Sequence, residues 1–154
     1  MRATLYTDGG CRPRNPGPAG FACVLVMENG DIHKVARHVW RATNNEAEFM
    51  ALIVGIKMAR ENHVSYLDII SDSKIVVHLT DGSWQAKHWK MRILRADAQK
   101  LLKRYFDERW QIHHVKGHAG NEYNEYADRL CTAVILAGIE ERRKKNPWLL
   151  KLKG

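Results

Sequence analysis

Ala3-Thr4-Leu5-Tyr6-Thr7-Asp8-Gly9-Gly10 has the composition of a buried strand that ends in a glycine turn. Its β-branched and aromatic residues fit a pleated surface, whereas aspartate is a poor strand residue. Asp8 at the end of the strand therefore has two interpretations: it starts the turn, or it is a metal ligand held on a rigid element. Further acidic residues arriving at the same place would favour the second interpretation.

The composition is that of a globular protein with a basic surface. The chain has 154 residues, of which 45% are hydrophobic and 27% are charged, enough for a sizeable core. The net charge of +8 indicates a polyanionic partner, and nucleic acid is the first candidate. No apolar run is long enough to cross a bilayer, and the first residues lack the features of a signal peptide. Three cysteines without metal-ligand spacing favour a reducing environment. We therefore expect a cytoplasmic protein with no membrane partner, and a monomer.

Hydrophobic periodicity and turn residues predict the element order β-β-β-α-β-α-α-β-α. Asn29-Gly30 supplies the positive φ angles of a hairpin turn, and Thr43 with Glu46 fits a capping box at a helix start. The predicted strands cover residues 3–8, 21–27, 32–40, 66–71 and 110–115, and the predicted helices cover 43–62, 74–79, 91–106 and 121–143. Strands one, four and five are separated by helices and can lie parallel through right-handed crossovers. We therefore predict an α/β fold, with a mixed five-stranded sheet flanked by helices on both faces.

The chain is predicted to form one domain over residues 1–141, followed by a basic tail over residues 142–154. Residues 11–20 are expected to form a loop, because they are rich in proline and glycine. The tail could be a phosphate-binding extension, an added edge strand or a disordered end, and a run of charges is most often a solvated end. The sequence leaves these three alternatives open.

Four acidic residues are predicted to meet at one edge of the sheet. Asp8 and Asp72 end the first and fourth strands, and parallel neighbours present their carboxyl ends at the edge where α/β sheets usually bind ligands. Glu48 lies in the first turns of the first helix, and Asp128 lies on the last helix, four residues after Asn124. Each acid alone could be a turn residue or a solvated helix residue. Together they would repel one another unless cations neutralise them, and oxygen ligands select Mg²⁺ or Mn²⁺ and not zinc.

Four short motifs occur along the chain in a fixed order. They are Tyr6-Thr7-Asp8-Gly9-Gly10, Thr43-Asn44-Asn45-Glu46-Ala47-Glu48, Ser71-Asp72-Ser73 and Lys116-Gly117-His118-Ala119-Gly120, with Asn124 and Asp128 following. These motifs resemble those of type 1 ribonuclease H, over residues 1 to about 137. The resemblance implies a ribonuclease H-like fold and an endonuclease that hydrolyses the RNA strand of RNA–DNA hybrids. Its products would carry 5′-phosphate and 3′-hydroxyl ends.

The resemblance also implies catalytic roles for individual residues. Asp8, Glu48, Asp72 and Asp128 match the metal-binding acids of the family, which implies two Mg²⁺ ions with Asp8 as the bridge, and Mn²⁺ as a substitute. One ion would activate the attacking water, and the other would stabilise the leaving 3′ oxygen. His118 matches a histidine that assists proton transfer or product release. Without the flanking motif, His118 would be taken for an exposed loop histidine.

Six residues are expected to contact the two strands of the hybrid. RNA differs from DNA by its 2′-hydroxyl, which both donates and accepts hydrogen bonds, and side-chain amides can answer both roles. Arg41 and Thr43 match a pocket that binds a phosphate of the DNA strand. Asn44 and Asn45 could instead cap the helix, and capping is compatible with binding. The predicted substrate-binding residues are Asn15, Arg41, Thr43, Asn44, Asn45 and Asn124.

The segment from Asp81 to Arg95 contains tryptophans among basic residues. Trp84 and Trp89, together with Lys87, His88 and Lys90, could stack on sugars and neutralise phosphates. Alternatively, one or both tryptophans could cover the hydrophobic core.

Two other functions fit parts of this pattern. A DNA-acting nuclease of the same carboxylate superfamily would use the same acids, but such proteins usually carry additional DNA-binding modules, for which this chain has no room. A module that binds hybrids without cutting them would not need all four acids. Both remain alternatives to the hybrid-specific nuclease.

Overall fold

The computed structural model describes residues 1–117 and 120–146. The strands are β1 (Arg2–Cys11), β2 (Gly17–Met27), β3 (Ile32–Ala42), β4 (Tyr66–Ser71) and β5 (Trp110–His114). The helices are α1 (Asn44–Glu61), α2 (Lys74–Asp81), α3 (Trp89–Phe106) and α4 (Glu122–Lys145). The predicted order of elements is therefore confirmed.

The five strands form one mixed sheet in the order β3-β2-β1-β4-β5. The first three strands pair antiparallel, as the Asn29-Gly30 turn predicts. Strand β4 pairs parallel with both β1 and β5, as expected for strands that are joined through helices. The two parallel strands that carry Asp8 and Asp72 are thus direct neighbours in the middle of the sheet.

Helices cover both faces of the sheet, because successive side chains of β1 point to opposite faces. Leu5 packs directly against Gly55 of α1, whereas the Tyr6 ring lies 5.4 Å from the Tyr123 ring of α4. The larger part of the core lies on the side of α1 and α3 and includes Phe49 and Phe106, both fully buried. The predicted mixed five-stranded sheet with helices on both faces is therefore confirmed.

The predicted loop over residues 11–20 is shorter in the structure than its proline content indicates. Strand β1 continues to Cys11, and Cys11 pairs with Ala19 of β2, so β2 begins at Gly17 and not at Phe21. The main-chain N–H of Arg12 donates to the carbonyl of Pro18 at 2.9 Å, which extends the pairing. Cross-strand hydrogen bonding therefore outweighs the local preference of these residues for a loop.

Three helices extend beyond their predicted ends, and α2 ends at Asp81 rather than at Leu79. Helix α3 begins at Trp89, two residues before the predicted start, because the His88 side chain accepts a hydrogen bond from the N–H of Lys90. Helix α4 continues to Lys145, so residues 142–145 of the predicted tail are helical. The division of the chain at residues 141 and 142 stays a prediction, and the rest of that tail, residues 147–154, lies outside the described residues. None of the described helices combines the length and the apolar character needed to cross a membrane.

Candidate active site

Three carboxylates meet at the carboxyl edge of the central strands. One oxygen each from Asp8, Glu48 and Asp72 lies within 4.8 Å of the other two. The parallel register pairs Thr7 with Ser71, so Asp8 and Asp72, the residues that follow them, lie at the same level along the two strands. The predicted convergence of these three acids is therefore observed.

Gly9 allows the helix that carries Glu48 to approach this edge. A Cβ atom at position 9 would overlap the main chain of Ala47 and Glu48. The N–H of Gly9 donates a hydrogen bond to the Glu48 carboxylate, which fixes that side chain next to Asp8. The first glycine after Asp8 is therefore required for close packing, rather than for a positive φ angle.

Ser73 is a site residue that the sequence analysis did not single out. Its hydroxyl caps α2 by accepting from the N–H of Val76 at 3.2 Å, and it also lies close enough to the Glu48 side chain to lower the pKa of that carboxyl group. The sequence could have predicted Ser73 as the N-cap residue of α2, because serine is common there. It could not have predicted the contact with Glu48, which depends on how α1 packs. Gly9 and Ser73 thus hold Glu48 from two different elements.

Asp128 reaches the cluster from α4 on the other face of the sheet. Its side chain is half-buried and hydrogen-bonds the Asp8 carboxyl group. One turn earlier, Asn124 is only 2% exposed, and its side-chain oxygen has no hydrogen-bond partner among the described residues. The fourth predicted acid therefore lies next to Asp8, although the group of three carboxylates within 4.8 Å does not include it. Asn124 is a buried residue whose contact with substrate stays a prediction.

His118 lies outside the described residues. The segment that leads to it passes beside Asp72: His114 Nε2 lies 3.1 Å from the main-chain oxygen of Asp72. A Cβ atom at Gly117 would lie 3.1 Å from Asp72 Oδ2. The residue before His118 is therefore adjacent to the cluster, and the catalytic role of His118 stays a prediction.

The acids of the cluster oppose one another's ionisation. Burial, followed by the negative charge of Glu48, raises the pKa of Asp8 strongly. Burial also raises the pKa of Glu48, although its hydrogen bonds to Asp8, Gly9 and Ser73 counteract this. A site made only of buried oxygen ligands with suppressed ionisation fits a hard divalent cation, which would favour the ionised forms.

We expect Asp8→Asn to raise the melting temperature of the metal-free protein. Below the ordinary pKa of an aspartate, Asp8 is protonated in both the folded and the unfolded protein. At higher pH, Asp8 ionises in the unfolded chain but keeps its proton in the folded protein. Wild-type stability in chelator should therefore fall between pH 5 and pH 8, by at most about 1.4 kcal/mol per pH unit for each retained proton. At pH 8 the variant should melt about 2–6 °C higher than the wild type and show a weaker pH dependence.

Thermal denaturation followed by circular dichroism in EDTA measures this effect. The matched control is Asp31→Asn, which removes an exposed carboxylate from the turn between β2 and β3. A lower melting temperature for Asp8→Asn than for the control would mean that the Asp8 carboxylate stabilises the fold as a turn residue does.

The predicted asparagines are tied to each other at the start of α1. Asn15 Oδ1 accepts from the N–H of Asn44 at 3.1 Å, and Asn44 Oδ1 accepts from the N–H of Cys11 at 3.0 Å. The N-cap residue is Thr43, whose side chain forms the predicted capping box with Glu46. Within the described part of the chain, the side-chain nitrogens (Nδ2) of Asn15 and Asn44 form no hydrogen bond, so both can donate to a ligand.

A cavity of about 260 Å³ brings some of the predicted binding residues next to α3. Asn15, Thr43 and Asn45 line one side of this cavity, and His88 and Lys90 line the other. Arg41 is exposed and lies two residues before Thr43, outside the cavity lining. The proximity of Lys90 to Thr43 was not foreseen, because 47 residues separate them in the sequence.

The two tryptophans of the segment before α3 do not belong to the core. Trp84 is 45% exposed and packs against the tilted His78 ring, with 4.5 Å between the ring centroids. Trp89 is 61% exposed and stacks on His88 at 6.0 Å. The interpretation that these tryptophans cover the core is wrong, and they remain candidates for contact with a ligand.

Comparison with known proteins identifies relatives along nearly the whole chain. The RNase H family model matches residues 1–135. A ribonuclease H of Rhodopirellula baltica is 36% identical over 146 residues, which cover 84% of this chain and 87% of the relative. A ribonuclease H of a Thermoanaerobacter species is 33% identical over 150 residues, covering 92% of this chain and 94% of the relative.

Solved structures give the same result. The crystal structure of RNase H1 from the archaeon Halobacterium salinarum superimposes with a TM-score of 0.79 at 34% identity, covering 88% of this chain and 98% of that protein. LC11-RNase H1, solved in complex with an RNA/DNA hybrid, has a TM-score of 0.78 at 26% identity, covering 89% of this chain and 99% of that protein. The similarity therefore extends from the sequence motifs to the arrangement of the sheet and helices.

Proposed function

This chain belongs to the ribonuclease H family and is a nuclease of that class, and we propose that it hydrolyses the RNA strand of RNA–DNA hybrids as an endonuclease. The observation that carries this proposal is the convergence of Asp8, Glu48 and Asp72 within 4.8 Å. The complex of the related LC11-RNase H1 with an RNA/DNA hybrid supports the choice of substrate. The net charge of +8 suits a polyanionic duplex.

We infer that two Mg²⁺ ions, with Mn²⁺ as a substitute, are held by Asp8, Glu48, Asp72 and Asp128. The chemistry of the ligands supports this, because the cluster of Asp8, Glu48 and Asp72 offers only carboxylate oxygens and no thiolate or imidazole. When bound, the ions would supply the positive charge that activates the attacking water and stabilises the leaving 3′ oxygen. The expected products carry 5′-phosphate and 3′-hydroxyl ends.

The protein's own contribution is to hold the acids in place before substrate arrives. Glu48 is fixed by the N–H of Gly9 and the hydroxyl of Ser73, and Asp8 is held between Glu48 and Asp128. Ligands that are already oriented need little rearrangement during the reaction, which lowers the barrier. The proposed role of His118 is to assist proton transfer or product release.

Both strands of the hybrid would be bound on either side of the cleaved phosphodiester bond. We propose that the amides of Asn15, Asn44 and Asn45 contact the minor groove, where the 2′-hydroxyl distinguishes RNA from DNA. Arg41 and Thr43 would bind a phosphate of the DNA strand, and the position of Lys90 in the same cavity as Thr43 supports an added cationic contact there. The exposed faces of Trp84 and Trp89 would stack on sugars farther along that strand.

A cleavage assay on labelled duplexes tests this proposal. With Mg²⁺ present, we expect cutting of the RNA strand of the hybrid, and no cutting of duplex DNA of the same sequence. Cleavage of the DNA duplex would favour the alternative DNA-acting nuclease, and hybrid binding without cleavage would favour the module without catalysis. Omitting the metal should stop cleavage of any of these duplexes, because no cation is then present to activate the water or to stabilise the leaving oxygen.

A further inference from the structure

A second polar cavity lies on the α4 side of the sheet, outside the carboxylate cluster. Its volume is about 450 Å³. Ile32 and Lys34 of β3 and four residues of α4 line it: Glu122, Tyr123, Tyr126 and Arg129. We call this cavity the tyrosine pocket. Neither the carboxylate cluster nor the cavity beside Thr43 shares a residue with it.

Half-buried aromatic rings form the walls of the tyrosine pocket. The Tyr123 ring packs on the Tyr6 ring of β1, with centroids 5.4 Å apart, so its orientation is fixed by the sheet. Two cations lie near the Tyr126 ring, with Lys34 Nζ at 5.4 Å and the Arg129 guanidinium at 5.7 Å from its centroid. Rigid aromatic faces of this kind are suited to stacking against a planar ring.

The polar groups of the pocket favour an anion. Lys34 Nζ donates to the Tyr126 hydroxyl oxygen at 2.6 Å, which leaves the hydroxyl proton to be donated to a ligand. Among residues 1–117 and 120–146, neither Lys34 nor Arg129 forms an ion pair with a carboxylate. Glu122 also lines the pocket and can accept hydrogen bonds from a ligand. Two unpaired cations next to one hydroxyl donor can hold a phosphate group.

We propose that the tyrosine pocket binds a nucleoside phosphate. The base stacks on Tyr123 and Tyr126, the phosphate lies between Lys34 and Arg129, and Glu122 accepts a hydrogen bond from an amino group of the base. A ligand with both an aromatic ring and an anionic group matches the tyrosine rings and the two cations together. Phosphate alone matches only the cations, and a nucleoside alone matches only the rings.

The pocket adjoins the catalytic edge. Arg129 directly follows Asp128, and Tyr6 lies two residues before Asp8 on the same face of β1. The nucleoside phosphate is therefore either a free mononucleotide or the terminal residue of a single strand that extends from a bound duplex.

Titration calorimetry with AMP in EDTA tests binding without any cleavage. We expect the wild type to bind AMP more tightly than adenosine or inorganic phosphate. Lys34→Gln and Tyr126→Ala should each weaken AMP binding by at least about fivefold, since each removes one half of the recognition. The matched control is Lys57→Gln, which removes an exposed cation from α1 on the opposite face and should leave AMP binding unchanged. Tyr126→Phe keeps the ring and should fold and stack as the wild type does.

A second comparison distinguishes the two sources of the ligand. It uses a blunt hybrid and the same hybrid with a single-stranded DNA extension, again in EDTA. If the extension tightens binding to the wild type and not to Lys34→Gln, the ligand is the terminal residue of a strand; AMP binding without an effect of the extension identifies a free nucleotide. If both Lys34→Gln and Tyr126→Ala bind AMP and the extended hybrid as the wild type does, the proposal is wrong. Because no arm measures cleavage, that outcome would leave the proposed nuclease activity standing.

Discussion

Asp8→Asn is expected to abolish hybrid cleavage, with a loss of at least about 10³-fold in rate, because the charge that holds the proposed metal ions is removed from the centre of the cluster. Asp8 contacts Glu48 and Asp128 and shares the cluster with Asp72, so no other acid can substitute for it. The amide is similar in size to the carboxylate and accepts hydrogen bonds, so the fold should be retained. The measurement is the single-turnover rate of hybrid cleavage with Mg²⁺.

Hybrid binding separates a catalytic role of Asp8 from a structural one. The proposed substrate contacts lie elsewhere, at the start of α1 and in the cavity beside Lys90, so Asp8→Asn should bind hybrid in EDTA as tightly as the wild type. Asp31→Asn is again the control and should keep both cleavage and binding. Retention of cleavage within about tenfold by Asp8→Asn would contradict the assignment, since a central metal ligand contributes several kcal/mol.

Gly9→Ala is expected to have an effect of similar size, by moving Glu48 rather than by changing any acid. A Cβ atom at position 9 would overlap the main chain of Ala47, and a helix backbone cannot yield as a flexible side chain does. Helix α1 would have to shift away from β1, which lengthens the hydrogen bond from Gly9 to Glu48. We expect a loss of about 2–4 kcal/mol in stability and at least about 100-fold in cleavage rate.

The neighbouring glycine provides the matched control for this substitution. A Cβ atom at Gly10 would lie 3.7 Å from Asn44 Oδ1 and 4.0 Å from Ile135 Cδ1, which are ordinary contact distances. Gly10→Ala should therefore keep most of the stability and of the activity. Chemical denaturation and the cleavage assay measure both variants, and equal behaviour of the two would show that the close approach of α1 is not what positions Glu48.

Local sequence signals predicted most of the fold because they act over a few residues. The Asn29-Gly30 turn, the capping box of Thr43 and Glu46, and the alternation of the strands each depend on neighbours along the chain. The parallel pairing of β1 with β4 followed from the helix that connects them, and it predicted that Asp8 lies beside Asp72. The resemblance to type 1 ribonuclease H is confirmed by the relatives, and its motifs include Glu48 and Asp128, which their helices had already made candidates.

The contacts that long-range packing creates were not predictable in this way. Proline and glycine indicated a loop up to residue 20, but pairing with β1 extended β2 back to Gly17. The hydroxyl of Ser73 meets Glu48, and Lys90 meets the cavity of Thr43, only because helices distant in sequence share one side of the sheet. The tyrosine pocket likewise joins β3 to α4 across 92 residues, from Lys34 to Tyr126.

The amino-acid sequence alone determined the types of the acids, the elements that carry them and the edge of the sheet to which two of them belong. Hydrophobic periodicity, turn residues and crossover handedness are sufficient for these features, because they constrain each element and its immediate connection. Only the tertiary structure decided how closely α1 approaches β1 at Gly9, which side chains hold Glu48 and which cations line each cavity. Those features depend on steric fit between surfaces brought together by burial of the core, and no short-range pattern encodes that fit.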